Sequence, residues 1–530
     1  MTFHKKLSVP FILCLILIFG CSGGKENETV NSLPAKKRPN IIFIMTDDHA
    51  KSAVSLYGSK LIQTPNIDRI GKEGMVFNNA FVTNALCGPS RAVMLTGKFS
   101  HINGFRDNRD KFDGDQPTVI KHLQKSGYYT SMIGKWHLRS VPQGFDYWNI
   151  LINQGNYYNP NMVEMGDTLR REGYTTDIIT DLTIETIDKQ VNREQPFCVL
   201  MHQKAPHRGW MPNVKHLTPG DTTRYPLPET FYDDYKNRSA AAGEQDMEIK
   251  NMFYSMDMKL HPAEEPGSGG QASFDAKANW ENIYKRLTPA QKEAWDAYYK
   301  PISEAFYRDN PKGRELEEWM YQRYISDYLK TIVSVDENIG RLLDYLEEKE
   351  LLDNTLIIYT SDQGFFLGEH GWYDKRFMYE PSLSIPLVMR LPGLITANST
   401  TDVLAQNIDF APTLLEIASI EVPDDMQGRS LKPVLEGTSK DWRDEIYYHY
   451  YEYPHGWHNV KRHYGIRTER YKLIHFYNDI DAWEMYDLEN DPNEMENLFD
   501  DPAHTEKREE LTTRLAKLRI AMKDTTQLLP

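Results

Sequence analysis

The sequence predicts an α/β protein: a three-layer α/β/α sandwich followed by a smaller C-terminal α+β subdomain. Continuous apolar runs at residues 40–45, 197–201 and 355–359 read as strands buried on both faces of a sheet, because a half-exposed strand would alternate. Each run delivers polar residues at its end: Thr46-Asp47-Asp48-His49, Ala205-Pro206-His207 and Ser361-Asp362-Gln363. In open α/β sheets ligands bind at the carboxyl ends of strands, so these residues can converge although they are far apart in sequence. Helical patterns between the runs, at 117–123 and 334–343, fit crossover helices.

At the N-terminus, two lysines within residues 1–6 precede an apolar run at 7–19 and then Gly20-Cys21-Ser22-Gly23-Gly24. These are the three parts of an export signal, and the run is too short to span a bilayer. Ile18-Phe19-Gly20-Cys21 resembles a bacterial lipobox, which implies removal of a signal peptide 1–20 and lipidation of Cys21. Lys25-Glu26 and Glu28 resemble surface-export signals of Bacteroidetes lipoproteins. The expectation is an exported lipoprotein anchored in the outer membrane, facing the periplasm or the cell surface. Residues 21–38 are polar and poor in aromatics, which suits a flexible tether.

Of four cysteines, Cys14 lies in the removed segment and Cys21 carries lipid, which leaves Cys87 and Cys198. Cys198 sits in the apolar run and reads as a small core residue, so no disulfide framework is expected. A net charge of −15 gives no overall basic footprint for nucleic acid. An anionic substrate must therefore be met by a local cluster of cations.

The catalytic domain is expected over 39–435. Its rhythm breaks at about 213–314, a polar, aromatic and irregular stretch that reads as an insertion packed over the rim of the site. Pro266-Gly267-Ser268-Gly269-Gly270 marks a loop in it. Helical signals return at Thr288-Pro289, a capping threonine before proline at the first helical position. The C-terminal subdomain, 436–530, combines aromatic, strand-like text at 446–451 and 464–468 with a final amphipathic helix at 507–522.

The most informative stretch is Cys87-Gly88-Pro89-Ser90-Arg91, followed by Leu95-Thr96-Gly97. Asp47-Asp48 and Asp362-Gln363 are oxygen donors suited to a hard divalent cation, whereas a thiol selects softer metals. The mismatch disappears if Cys87 does not remain cysteine. C-x-P-S-R followed by L-T-G resembles the signature of the type I sulfatases, in which that cysteine is converted to formylglycine by a maturation enzyme. The resemblance runs from Arg38-Pro39-Asn40 to Asp491-Pro492 and extends to N-acetylglucosamine-6-sulfatases and bacterial polysaccharide sulfatases.

The resemblance implies an alkaline-phosphatase-like fold and a calcium ion held by Asp47, Asp48, Asp362, Gln363 and the modified Cys87. Gln363 stands where many relatives carry asparagine, and either amide oxygen suits calcium. Arg91, four residues after Cys87, would face back to the nucleophile if a helix starts near Pro89. Gly134-Lys135-Trp136-His137 follows a strand-like run and sets a cation and an imidazole two residues apart on one side. By resemblance Lys135 and Lys375 hold sulfate, His137 holds the nucleophile's hydroxyls, and His207 protonates the leaving sugar oxygen. One hydroxyl of hydrated formylglycine attacks sulfur, and the other allows sulfate to be expelled again, a step serine cannot perform.

The aromatic and histidine-rich segment 451–464, together with export, points to a sulfated poly- or oligosaccharide, either an algal glycan such as ulvan or a glycosaminoglycan. Asp374, Arg376, His458 and His463 are the candidate sugar contacts. Two rivals remain at this level: a phosphatase or phosphodiesterase of the same fold, and a non-catalytic glycan-binding lipoprotein.

Overall fold

The computed structural model describes residues 37–262 and 274–526. The signal segment 1–20, Cys21, nearly all of the 21–38 tether and the Pro266–Gly270 loop lie outside the described residues. Among the described residues no helix is long and apolar enough to cross a membrane.

A ten-stranded sheet forms the middle layer. Its centre is Asn40–Thr46, paired in parallel with Thr355–Ser361 on one side and Phe197–His202 on the other. Tyr129–Gly134 pairs in parallel with Phe197–His202, and Tyr147–Leu151 with Tyr129–Gly134. Five neighbouring strands thus run in one direction, and all five end on the same edge. Leu387–Arg390 adds antiparallel beyond Thr355–Ser361, and Asn161–Glu164 antiparallel beyond Tyr147–Leu151.

The central strand is buried along its whole length, as its unbroken apolar text requires. Ile41, Phe43 and Met45 point into one apolar cluster, with Ala92, Leu95, Val119, Leu123 and Leu414 from helices on that face. Ile42 and Ile44 point into the opposite cluster, with Ile179, Leu182, Val335, Ile339 and Leu342 from helices on the other. The result is the three-layer α/β/α sandwich. Burying both faces of the strands is what drives it, since each alternate side chain needs its own helical cover.

The insertion supplies the helix Pro289–Asp309, whose start is a capping box: Thr288 accepts from the Gln291 backbone and Gln291 reaches back to Thr288. It leads into Arg314–Glu348, 35 residues long, which crosses behind the sheet. Towards the C-terminus, Glu445–Tyr450, His463–Thr468, Tyr471–Phe476 and Ala482–Asp487 form a four-stranded antiparallel sheet. The helix Thr505–Ala521 covers it through Leu511 and Leu515. These two leucines share an apolar cluster with Val93 and Phe99 of the larger part, and Arg38–Pro530 forms one compact unit.

Candidate active site

The parallel strands bring their polar ends together. In register, Thr46 lies beside Ser361 and Met45 beside His202, which in turn lies beside Gly134. Asp47, Asp362 and Lys135 therefore emerge as neighbours, one residue beyond the sheet. Gly134 sits at φ 101°, and a Cβ there would lie 1.9 Å from the carbonyl oxygen of His202. Only glycine lets the chain pass this close and turn Lys135 inward, where its amide donates to that same carbonyl at 2.8 Å.

Carboxylate oxygens of Asp47, Asp48 and Asp362 lie within 4.8 Å of one another, and all three residues are fully buried. Asp47 Oδ1, Asp48 Oδ2 and Gln363 Oε1 are buried without a hydrogen-bond partner. The Gln363 amide donates instead to Asp48 Oδ1 and reaches Cys87 Sγ at 3.8 Å; turning the amide over would present its oxygen to the nest. Burial, with the charges of Asp47 and Asp362 beside it, raises the Asp48 carboxyl to about 7 against the pull of Lys375. Burial and Asp47 raise Asp362 to about 6. Converging buried oxygens with no partners and mutual repulsion are what a hard dication relieves. The residues present therefore fit calcium.

Cys87 opens the helix Cys87–Thr96, so the helix begins two residues before Pro89. Pro89 then falls in the first turn, where no backbone N–H is needed. Burial, and next the charge of Asp47, push the Cys87 thiol far above its ordinary value. An unmodified cysteine here would be a protonated, poor nucleophile, since thiolate is the reactive form. Arg91, one turn on, donates to Asp362 Oδ2 from Nε and Nη2 at 2.9 and 2.8 Å and to the Lys135 carbonyl at 2.6 Å. Its partner is thus a carboxylate of the nest, and in this arrangement it braces the cluster rather than the sulfur.

Lys135 Nζ donates to Asp47 and to Gln154 Oε1. Lys375 Nζ donates to Asp48 Oδ1. His207 Nε2 stands 3.9 Å from Asp48 Oδ2, and a His207 nitrogen, Cys87 Sγ and an Asp47 oxygen lie within 4.8 Å of one another. Burial holds both His207 and His137 well below the usual imidazole range, with Lys135 adding to the effect at His137. Asp48, His137, Asp374 and Arg376 all have φ between 56° and 99°, a left-handed backbone that side-chain-bearing residues rarely adopt and that collects at functional sites.

Above this cluster opens a cavity of about 460 Å³ that reaches down to Cys87, His137, His207 and Lys375. Asp374 and Arg376 line it, paired to each other at 2.6 Å. His458 and His463 do not line it, which corrects their assignment as sugar contacts. His458 is completely buried and bridges the carboxylates of Asp374 and Asp246 at 2.9 and 3.1 Å. His463 is equally buried, accepting from the Met378 amide at 3.1 Å and holding the Lys461 carbonyl at 2.8 Å. Both histidines belong to the packing behind the wall, His463 at the start of the strand His463–Thr468 and His458 in the turn before it.

The cavity also exposes residues that sequence reasoning passed over. Gln154 follows the strand Tyr147–Leu151 and so obeys the same strand-end rule as the others. Lys204 and Arg208 flank His207 on its own loop. Met256, Phe274 and Asn279 come from the insertion and Trp457 from the C-terminal segment, so these two parts form the rim. Phe274 meets Trp457 edge-on at 5.2 Å.

Fold and site together define a hydrolase that handles a tetrahedral oxyanion at a cation-ready carboxylate nest. Residues 39–420 match the family described as Sulfatase, and residues 368–521 the one described as N-sulphoglucosamine sulphohydrolase, C-terminal. An N-acetylglucosamine-6-O-sulfatase of Bacteroides thetaiotaomicron is 51% identical over 519 residues, 97% of this chain and 90% of the relative. The human N-acetylglucosamine-6-sulfatase is 27% identical over 481 residues, 84% of this chain and 72% of the relative. A solved structure of a protein in complex with its substrate, D-glucosamine-2-N,6-O-disulfate, is 52% identical with a TM-score of 0.89, covering 93% of this chain and 99% of that one. The chain belongs to the sulfatase family, with its alkaline-phosphatase-like fold, and is a sulfuric ester hydrolase.

Proposed function

We propose that this sulfatase removes the 6-O-sulfate from N-acetylglucosamine or N-sulfated glucosamine at the ends of glycosaminoglycan chains, with Cys87 matured to formylglycine and calcium in the carboxylate nest. The observation that carries the reading is the cavity itself: a single recess of about 460 Å³ ending on Cys87, in a chain half identical to an N-acetylglucosamine-6-O-sulfatase along nearly its whole length. A recess of this size suits a small ligand. It has room for one or two sugar rings, and we take attack at chain ends as the reading to test.

Asp47, Asp48, Asp362 and Gln363 would hold the calcium. The ion would supply positive charge beside the sulfate, and formylglycine, when hydrated, an oxygen nucleophile in place of the inert thiol. The chain's own residues then divide the work. Lys375 and Lys135 stand on either side of the nest and meet the charge that grows on the sulfate oxygens. His207 Nε2, beside Asp48 and Cys87, is placed to hand a proton to the departing sugar oxygen once the charge of the bound sulfate lifts the imidazole from the low value that burial gives it. Arg91 keeps Asp362 oriented. Asp374 and Arg376 present a carboxylate and a guanidinium to sugar hydroxyls. Export as a lipid-anchored protein through Cys21 would bring this site to glycans outside the cytoplasm.

Incubation with defined oligosaccharides carrying 6-O-, 2-O- or 3-O-sulfate tests the substrate. Release from a terminal 6-O-sulfated glucosamine alone is expected; preferential release from any other position refutes the reading. Intact mass tests the nucleophile, since conversion of thiol to aldehyde lightens the chain by about 18 Da, a change off the usual cysteine oxidation ladder. The phosphatase alternative is checked by comparing aryl phosphate with aryl sulfate.

A further inference from the structure

The cations of the cavity wall are not alike. Among the described residues five lysines and arginines line it, and Arg109, Arg208, Lys375 and Arg376 each hold a carboxylate within 2.8 Å. Lys204 is the fifth. It is only 5% exposed, lines the cavity, and among the described residues its ammonium makes no hydrogen bond and no ion pair. The ammonium lies instead over a π face: Nζ is 4.8 Å from the centroid of the Tyr157 ring. Tyr157 is itself fixed, donating from its hydroxyl to the His207 carbonyl at 2.8 Å. Lys204 in turn opens the tight turn that carries His207, whose amide donates to the Lys204 carbonyl at 3.1 Å.

A buried ammonium without an anion is expensive, and a cation–π contact offsets only part of the lost hydration. A protein keeps such a group where a ligand completes it. We propose that Lys204, steered by Tyr157, is a substrate-binding cation that pairs with a sulfate oxygen of the bound sugar. The sulfate is either the one being cleaved or a second one on the same ring. Lys135 and Lys375 meet the sulfate with a carboxylate, Asp47 or Asp48, already bound to each, whereas Lys204, among the described residues of the pocket, brings a charge with no carboxylate of its own. The inference rests on the sulfated-sugar reading above, and Tyr157 acts through Lys204 as a positioning residue.

The test compares wild type with Lys204→Met, which keeps the unbranched stem of the side chain and removes the charged end, and with Lys204→Arg. Three substrates are used: an aryl sulfate without sugar, 6-O-sulfated N-acetylglucosamine, and 2-N,6-O-disulfated glucosamine. Loss of a charged hydrogen bond predicts kcat/KM about 10- to 100-fold lower in Lys204→Met, with partial recovery in Lys204→Arg. A fall on all three substrates assigns Lys204 to the cleaved sulfate; a fall confined to the disulfated sugar assigns it to the second one. The variant should melt at the same temperature as wild type or higher, because an unpaired buried charge has been removed. Unchanged kcat/KM on all three substrates overturns the proposal, and so does a loss of activity accompanied by a lower melting temperature, which marks a structural role. The aryl sulfate arm and the melting comparison keep the test of Lys204 separate from the sugar assignment, which the wild-type enzyme alone decides.

Discussion

Removing the cation from the carboxylate nest should destabilise the whole protein by an amount the structure lets one estimate. Asp47 Oδ1, Asp48 Oδ2 and Gln363 Oε1 are three buried oxygens that find no partner within the chain. A buried polar atom left unsatisfied costs about 1–3 kcal/mol, more if charged, so stripping calcium should cost about 3–9 kcal/mol. Unfolding entropy is about 2.1 cal/mol/K per residue, which for the roughly 490 residues of the compact unit is about 1 kcal/mol/K. The expected fall in melting temperature is then about 3–9 °C. Differential scanning calorimetry after exhaustive EGTA treatment measures it, with metal content followed in parallel. Re-added calcium should restore the transition, and magnesium, which demands shorter bonds and stricter octahedral geometry, should restore it poorly. Protein that contains no metal as purified, and whose melting temperature moves by less than about 1 °C with EGTA or added calcium, would refute the reasoning. Asp48→Asn should raise the calcium needed for recovery without abolishing the fold, because one orphaned charge has also been removed.

Three further outcomes follow from individual contacts. Gly134→Ala should fail to accumulate as folded protein, or melt far below wild type, since its Cβ would sit 1.9 Å from the His202 carbonyl oxygen in a left-handed backbone; circular dichroism and solubility report this. His463→Ala should destabilise by about 2–4 kcal/mol through a cavity and an orphaned Met378 amide, yet leave KM for the sulfated sugar unchanged, which denaturant titration and kinetics separate. Burial, with Lys135 nearby, lowers the Lys204 ammonium to about 8. Its charge is therefore present below that pH and lost above it, so kcat/KM should decline above about pH 8 in wild type. That alkaline limb should be absent in Lys204→Met.

What the sequence made legible follows from where the physics is local. A short unbroken apolar run such as 40–45 reads as a strand covered on both faces, and where such strands run parallel the residues just past them meet at one edge. That logic places Asp47, Asp48, Asp362 and His207 together without any coordinates. The start of the helix is legible only as near Pro89, because that proline is equally at home in several positions of a first turn, and it falls at Cys87. His458 and His463 were misplaced for another reason: a histidine in aromatic text can face a cavity or bridge buried carboxylates, and only tertiary packing decides. Lys204 and Arg208 sit in the same short loop as His207 and went unremarked, since pairing with Asp257, for instance, is set by the insertion 49 residues further on.

The pocket's floor is made from strand ends that the sheet holds in fixed register, whereas its rim comes from two segments separated by nearly two hundred residues, meeting where Phe274 touches Trp457. Chemistry and recognition thereby rest on different parts of the chain. Exchanging either rim segment should therefore change which sugars the mouth admits while the strand-end residues that face the scissile bond stay where the sheet fixes them.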